Sequence, residues 1–123
     1  MHESLAVTCG QLIIGGFQGT TLPSSYARAL ERGERGGAIL FRRNLPPSLE
    51  DLARLNAAIA SASRSDLPPV IGVDQEGGRV ARIGAPALRV PSMQTLATLG
   101  DADFVERVAT CVATELATLG QIP

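Results

Sequence analysis

"VIGVDQEGGRVARI", residues 70–83, carries the sequence pattern on which the fold turns. Val70 to Val73 are apolar on consecutive positions, with no polar alternation. That pattern predicts a short strand buried on both faces, as in a parallel sheet. Pro68 and Pro69 stop whatever helix precedes it. Asp74 follows the strand directly. In parallel α/β architectures the carboxyl ends of strands face the ligand crevice, so Asp74 is expected at a binding mouth. A carboxylate there accepts hydrogen bonds from neighbouring hydroxyls or from an arginine, and such charge-assisted bonds are the stronger class. Gly77 and Gly78 allow a sharp turn and leave room for a ligand to approach. Arg79 and Arg82 lie three apart and lean the same way if the loop is turn-like. Arg82 offers a rigid fork of donors to ligand oxygens.

The residues alone leave rival readings open. An aspartate before glycines is often a turn residue bonded to its own backbone. Glu76 with Arg79 or Arg82 is often a structural ion pair. A phosphate cradle at "EGGR" is disfavoured, since neither GxGxxG nor a Walker pattern is present and two acids in the loop repel an anion.

Outward from this stretch, strands and helices alternate. "QLIIGG" predicts a first strand over Leu12 to Phe17. Pro23 then opens a short helix, "PSSYARALERG", which Gly33 closes in the left-handed conformation. "GGAILF" gives a second strand, Ala38 to Phe41. "RRNLPP" is the turn after it, so Arg42, Arg43 and Asn44 share the mouth with Asp74. Arg42 reads as a solvated turn residue. Ser48 with Asp51 forms a capping box for "LEDLARLNAAIASAS", where Leu52, Leu55, Ile59 and Ala62 mark one buried stripe. After the "DQEGG" loop, "SMQTLATLG" is a helical turn. Asp101 caps a last helix in which Phe104, Val108, Val112 and Leu116 step by four to form an apolar face. The order β-α-β-α-β-loop-α-α argues for an α/β fold with parallel pairing. A complete (β/α)8 barrel needs about 250 residues. The organisation reads as the first part of a larger α/β structure, and only the first units of such a barrel, its N-terminal part truncated before the later strands, would fit in these 123 residues.

Composition bounds the rest. The chain is 45% hydrophobic and 19% charged, with net charge −1. These values are ordinary for a globular protein, and no basic stripe points to nucleic acid. Only 3% is aromatic, so the core must be aliphatic. Cys9 and Cys111 form no metal-type pair and are expected as buried thiols in a reducing compartment. The N-terminal stretch lacks a basic n-region, and no run approaches the roughly 20 apolar residues of a membrane helix. Cytoplasmic placement follows as the default, with no membrane partner. His2, the one histidine, lacks catalytic company near the terminus. No metal-ligand cluster or cofactor motif is evident.

"QLIIGGFQGT", "GGAILFRRN", "VDQEGGRVARI" and "VPSM" together resemble the N-terminal barrel domain of glycoside hydrolase family 3. The likeness is greatest to the bacterial β-N-acetylhexosaminidase branch that trims peptidoglycan fragments. It runs from about Gly10 to Gly120, and residues 1–123 are expected to form part of that domain. The resemblance implies a TIM-type barrel that removes a terminal β-linked N-acetylglucosamine with retention of configuration. It assigns Asp74 to holding sugar hydroxyls and Arg82 to binding the same sugar. Gln75, Glu76, Gly77, Gly78 and Arg79 match the motif as scaffold, and Asn44 matches a structural "RN".

The same resemblance places the nucleophilic aspartate, a histidine proton shuttle and a lysine-histidine segment after residue 123. No residue here is therefore expected to be catalytic. The chain alone is expected to lack turnover, since Asp74 and Glu76 are poorly placed to flank a glycosidic bond. A retaining pair stands about 5 Å apart across it. The ending "LGQIP" also departs from the apolar strand that the family pattern carries there. The implied partner is a carbohydrate containing N-acetylglucosamine. The alternatives are a non-catalytic sugar-binding or interaction module, or part of a β-glucosidase of the same family, which the "DQEGG" loop argues against.

Overall fold

A computed structural model of the chain describes residues 4–120. His2 and the final "QIP" lie outside the described residues. Strands β1 (Ile14–Gly15), β2 (Gly37–Leu40) and β3 (Val70–Val73) form one parallel sheet in the order β1-β2-β3. Helix α1 (Leu5–Gly10) precedes them, and α2 (Ser24–Glu31) and α3 (Leu49–Ala62) are the crossovers. This β/α repeat is the building unit of a TIM-type barrel.

Local chemistry sets the boundaries. Gly33 closes α2 at φ +72°, with Glu34 N–H donating to the Ala29 carbonyl and Gly33 N–H to that of Leu30. That is a Schellman cap. Ser48 Oγ accepts from Asp51 N–H at 3.0 Å and starts α3. The return contact of the expected capping box comes from the Ser48 hydroxyl instead of its backbone N–H: Oγ donates to the Asp51 carboxylate at 2.8 Å. Strand β1 is shorter than predicted. Leu12 and Ile13 N–H groups donate back to Cys9 and Gly10 carbonyls, so the end of α1 consumes the start of the expected strand.

The core lies on one side of the sheet. Ala38, Leu40 and Ile71 meet Leu30 of α2 and Leu52, Leu55 and Ile59 of α3, all of them buried. Burying each such leucine or isoleucine contributes about 1.5–3 kcal/mol. The predicted α3 stripe is thus present, with Ala62 partly buried at its end. The expectation of strands buried on both faces is corrected. Val70 is 48% exposed, and a Cβ built on Gly72 would meet nothing within 4 Å. These residues belong to the face that a closed barrel fills with interior side chains; three strands leave it open.

Past β3 the chain forms a hairpin, β4 (Gln75–Gly77) with β5 (Val80–Ala81), where only a polar loop was predicted. Helix α4 (Met93–Ala97) is capped by Ser92, and α5 (Ala102–Thr118) by Asp101. No residue of α5 is buried. Of its predicted apolar face, Phe104 is exposed and Val108, Val112 and Leu116 are half-buried. The helix docks through its carboxyl end, where Leu119 is buried and its carbonyl accepts from Asn56 Nδ2 at 2.6 Å. Cys9 and Cys111 are free and exposed, which corrects their expected burial. Cys111 lies on the loosely packed α5, and Cys9 on the short α1, whose one buried residue is Gly10.

Candidate functional site

The carboxyl ends of the three strands open onto one rim. Each contributes its exit segment: Gly16–Phe17 after β1, residues 41–44 after β2, and Asp74 after β3. Asn44 ties the first two together. Fully buried, it donates through Nδ2 to the carbonyls of Phe17 (3.0 Å) and Gly19 (2.8 Å), and its Oδ1 accepts from Phe41 N–H (3.0 Å). Every polar atom of the buried amide is satisfied, as burial demands. The structural role implied for Asn44 is therefore what the geometry shows. Arg43 adds a second tie, with Nε 3.3 Å from the Phe17 carbonyl and its guanidinium 4.6 Å above the Phe41 ring.

The hairpin explains why Asp74 and Arg82 meet across eight positions. Gln75 pairs with Ala81, and Arg82 N–H donates to the Asp74 carbonyl at 3.3 Å. Gln75 then clasps the next residue: its Oε1 accepts from Ile83 N–H at 3.0 Å, and its Nε2 donates to the Ile83 carbonyl at 3.1 Å. Ile83 is buried, so this clasp fixes the returning strand to the core. Arg82 Nη2 consequently stands 3.8 Å from Asp74 Oδ2. The spacing is an ion pair beyond hydrogen-bond length. Among the described residues, no donor hydrogen-bonds either carboxylate oxygen of Asp74, and the side chain is 42% exposed. The turn reading, in which the carboxylate bonds to its own backbone, does not describe this residue. Neither oxygen is held by a hydrogen bond among the described residues, and Arg82 places its charge beside Oδ2.

Other residues of the motif fall elsewhere. Glu76 and Arg79 are exposed on the hairpin, and Arg82 pairs with Asp74, not with Glu76. Arg79 sits at the turn and Arg82 past the far end of β5, so the two do not act together. Gly77 and Gly78 have positive φ, +84° and +58°, as turn glycines do. The room beside them is not for a ligand, which corrects the sequence reading. A Cβ at Gly77 would overlap the Pro91 carbonyl oxygen, and one at Gly78 would lie 2.9 Å from Ser92 Cβ. Gly78 N–H donates to the Val90 carbonyl at 2.9 Å. The glycines thus seat the "VPS" segment against the hairpin. Among the described residues no group of His, Cys, Asp and Glu is arranged to hold a metal, and no helix is long and apolar enough to cross a membrane.

A carboxylate and an arginine thus lie on the carboxyl rim of parallel β/α units, the rim at which barrel enzymes bind their ligands. The sequence profile described as "Glycosyl hydrolase family 3 N terminal domain" matches residues 5–121, and the chain belongs to that family. It is 38% identical over 108 residues to beta-hexosaminidase A of Pseudoalteromonas piscicida, a match covering 82% of this chain and 18% of that protein. The family 3 beta-N-acetylglucosaminidase of Paenibacillus sp. str. FPU-7 superposes with a TM-score of 0.87 at 33% identity, covering 98% of this chain and 23% of that one. NagZ from Neisseria gonorrhoeae in complex with N-trifluoroacetyl-D-glucosamine superposes at 0.72 with 31% identity, covering 89% and 33%. The chain therefore spans between about a fifth and a third of the relatives it matches. The expected fold, the N-terminal part of a TIM-type barrel, is the one observed.

Proposed function

We propose that this chain supplies part of the sugar-binding site of a retaining β-N-acetylhexosaminidase, with Asp74 and Arg82 as its substrate-binding residues. One observation carries the reading. Asp74 lies at the strand terminus, half-buried, with neither oxygen hydrogen-bonded and Arg82 alongside. Adjacent sugar hydroxyls donate to such a carboxylate, and Arg82 donates to a ring substituent. The relatives, a beta-hexosaminidase and beta-N-acetylglucosaminidases, support the substrate class, a terminal N-acetylglucosamine unit. Peptidoglycan-derived saccharides in the cytoplasm are the natural setting of that chemistry on the family resemblance.

Within these residues the chemistry stops at binding. Asp74 is engaged with Arg82, and Glu76 is exposed on the hairpin, so no carboxyl pair flanks a common bond. Titration calorimetry of the chain with N-acetylglucosamine tests the proposal. Heat of binding that Asp74→Asn removes supports it, together with no release of phenol from an aryl N-acetylglucosaminide. Binding that survives Asp74→Asn refutes the assigned site, and turnover by the chain refutes the division of labour. The alternative of a non-catalytic sugar-binding module predicts the same binding. It gains ground only if the longest natural form of the protein also fails to hydrolyse.

A further inference from the structure

Arg82 stands beside Asp74 with no hydrogen bond to hold its head. Among the described residues its guanidinium makes one ion pair, at 3.8 Å, beyond hydrogen-bond length. Its placement is therefore set by the backbone that carries it. That support is slight. β4 and β5 share two pairs, Gln75 with Ala81 and Gly77 with Val80, and the register shifts between them. One backbone bond follows, from Arg82 N–H to the Asp74 carbonyl, long at 3.3 Å. The next rung is a side chain. The Gln75 amide takes both backbone groups of Ile83, accepting from its N–H at 3.0 Å and donating to its carbonyl at 3.1 Å, as a neighbouring strand would. Ile83 is buried, so loss of this rung strips two polar groups of their partners at the edge of the core.

We propose that Gln75 is a positioning residue for sugar binding: without meeting the sugar, it holds Arg82 beside Asp74 by gripping Ile83. The inference rests on the sugar-site reading and deepens it, since affinity then depends on a neutral amide whose oxygen and nitrogen are both engaged by the backbone. The role asks for a donor and an acceptor together on one side chain of this length. Methionine has the length without the polar atoms. A glutamate carboxylate accepts from Ile83 N–H but turns its second oxygen on the Ile83 carbonyl. Once protonated, it donates there and restores both contacts.

The test is a double-mutant cycle on the full chain, read as affinity for N-acetylglucosamine by titration calorimetry, with circular dichroism to show that each variant is folded. Gln75→Met is expected to weaken binding about ten-fold, as Arg82→Met does. Added to Arg82→Met, it is expected to cost nothing further, because the two residues act through one contact. A merely structural role costs affinity equally in both backgrounds. That result, or full affinity in Gln75→Met, overturns the inference and leaves the sugar site standing. Gln75→Glu is the second arm and decides the matter if Gln75→Met does not fold. Its affinity is taken as a ratio to the wild type at each pH, which allows for Asp74, Glu76 and Arg82, the charged groups beside position 75. The ratio is expected to be low at neutral pH and to recover as acid protonates the introduced carboxyl. A ratio indifferent to pH overturns the two-point grip. Failure of the wild type to bind the sugar refutes the sugar-site reading and this inference with it.

Discussion

Replacing Asn44 with alanine removes the knot that holds the first two strand exits together. The side chain is fully buried and makes three hydrogen bonds, to the Phe17 and Gly19 carbonyls and from Phe41 N–H. Each contributes about 1 kcal/mol net, and the orphaned Phe41 N–H adds a desolvation cost, so the loss is roughly 3–4 kcal/mol. That is a large share of a total stability on the order of 10 kcal/mol. With a urea slope of about 1.5 kcal/mol per molar, the unfolding midpoint followed by far-ultraviolet circular dichroism falls by about 2 M. The rim loosens with it, since the exits at Phe17 and Phe41 lose their common anchor, so affinity for N-acetylglucosamine falls even where the variant stays folded. Asn44→Asp is no rescue: it keeps an acceptor for Phe41 N–H but turns a carboxylate oxygen toward two carbonyls. A midpoint shift below about 0.5 M for Asn44→Ala would refute the claim that this amide braces the mouth.

Other expectations are as direct. Gly77→Ala forces a Cβ onto the Pro91 carbonyl at φ +84° and should cost at least about 2 kcal/mol. Gly84→Ala, where a Cβ meets nothing within 4 Å, should be neutral within about 0.5 kcal/mol; thermal melts of the pair check both. Acid weakens the fold in a defined window. The Ser48 hydroxyl, and then Arg54, hold the Asp51 carboxyl below its usual 3.8, while Arg64 does the same for Asp66 and Arg32 lowers Glu34 from 4.5. Depressed folded-state values mean stability that is present above the usual values and lost as pH falls through the folded ones. Urea midpoints should therefore be flat from neutrality to about pH 5 and decline below it, less steeply in Asp51→Asn.

The parts of the fold governed by short-range chemistry were legible in the sequence. Strand β3 and helix α3 fall where consecutive apolar residues and the Leu52–Leu55–Ile59 spacing place them, because pattern and cap agree there. Gly33 ends α2 as expected for the same reason. The hairpin β4–β5 escaped detection because its two short strands carry Gln, Glu, Gly, Val and Ala, with no alternation to read. The open sheet face and the exposed flank of α5 are also invisible in composition. An apolar pattern records what a residue suits, not which neighbours are at hand to cover it. In the site, strand-end position and family resemblance both pointed to Asp74, and Arg82 rested on the motif. The Gln75 clasp, which sets the Asp74–Arg82 spacing, has no local signature, since its partner is the backbone of Ile83. The glycine pair was given the wrong neighbour. Positive φ is readable from "GG", whereas the packing of Val90–Ser92 against it is long-range.

The most direct check is a structure of this chain with N-acetylglucosamine bound, by diffraction or by intermolecular NMR contacts. The account predicts Asp74 oxygens about 2.7 Å from two sugar hydroxyls, with Arg82 at the same ring. A sugar seated away from the β3 terminus, or an Asp74 carboxylate turned from it onto Arg82 alone, would contradict it.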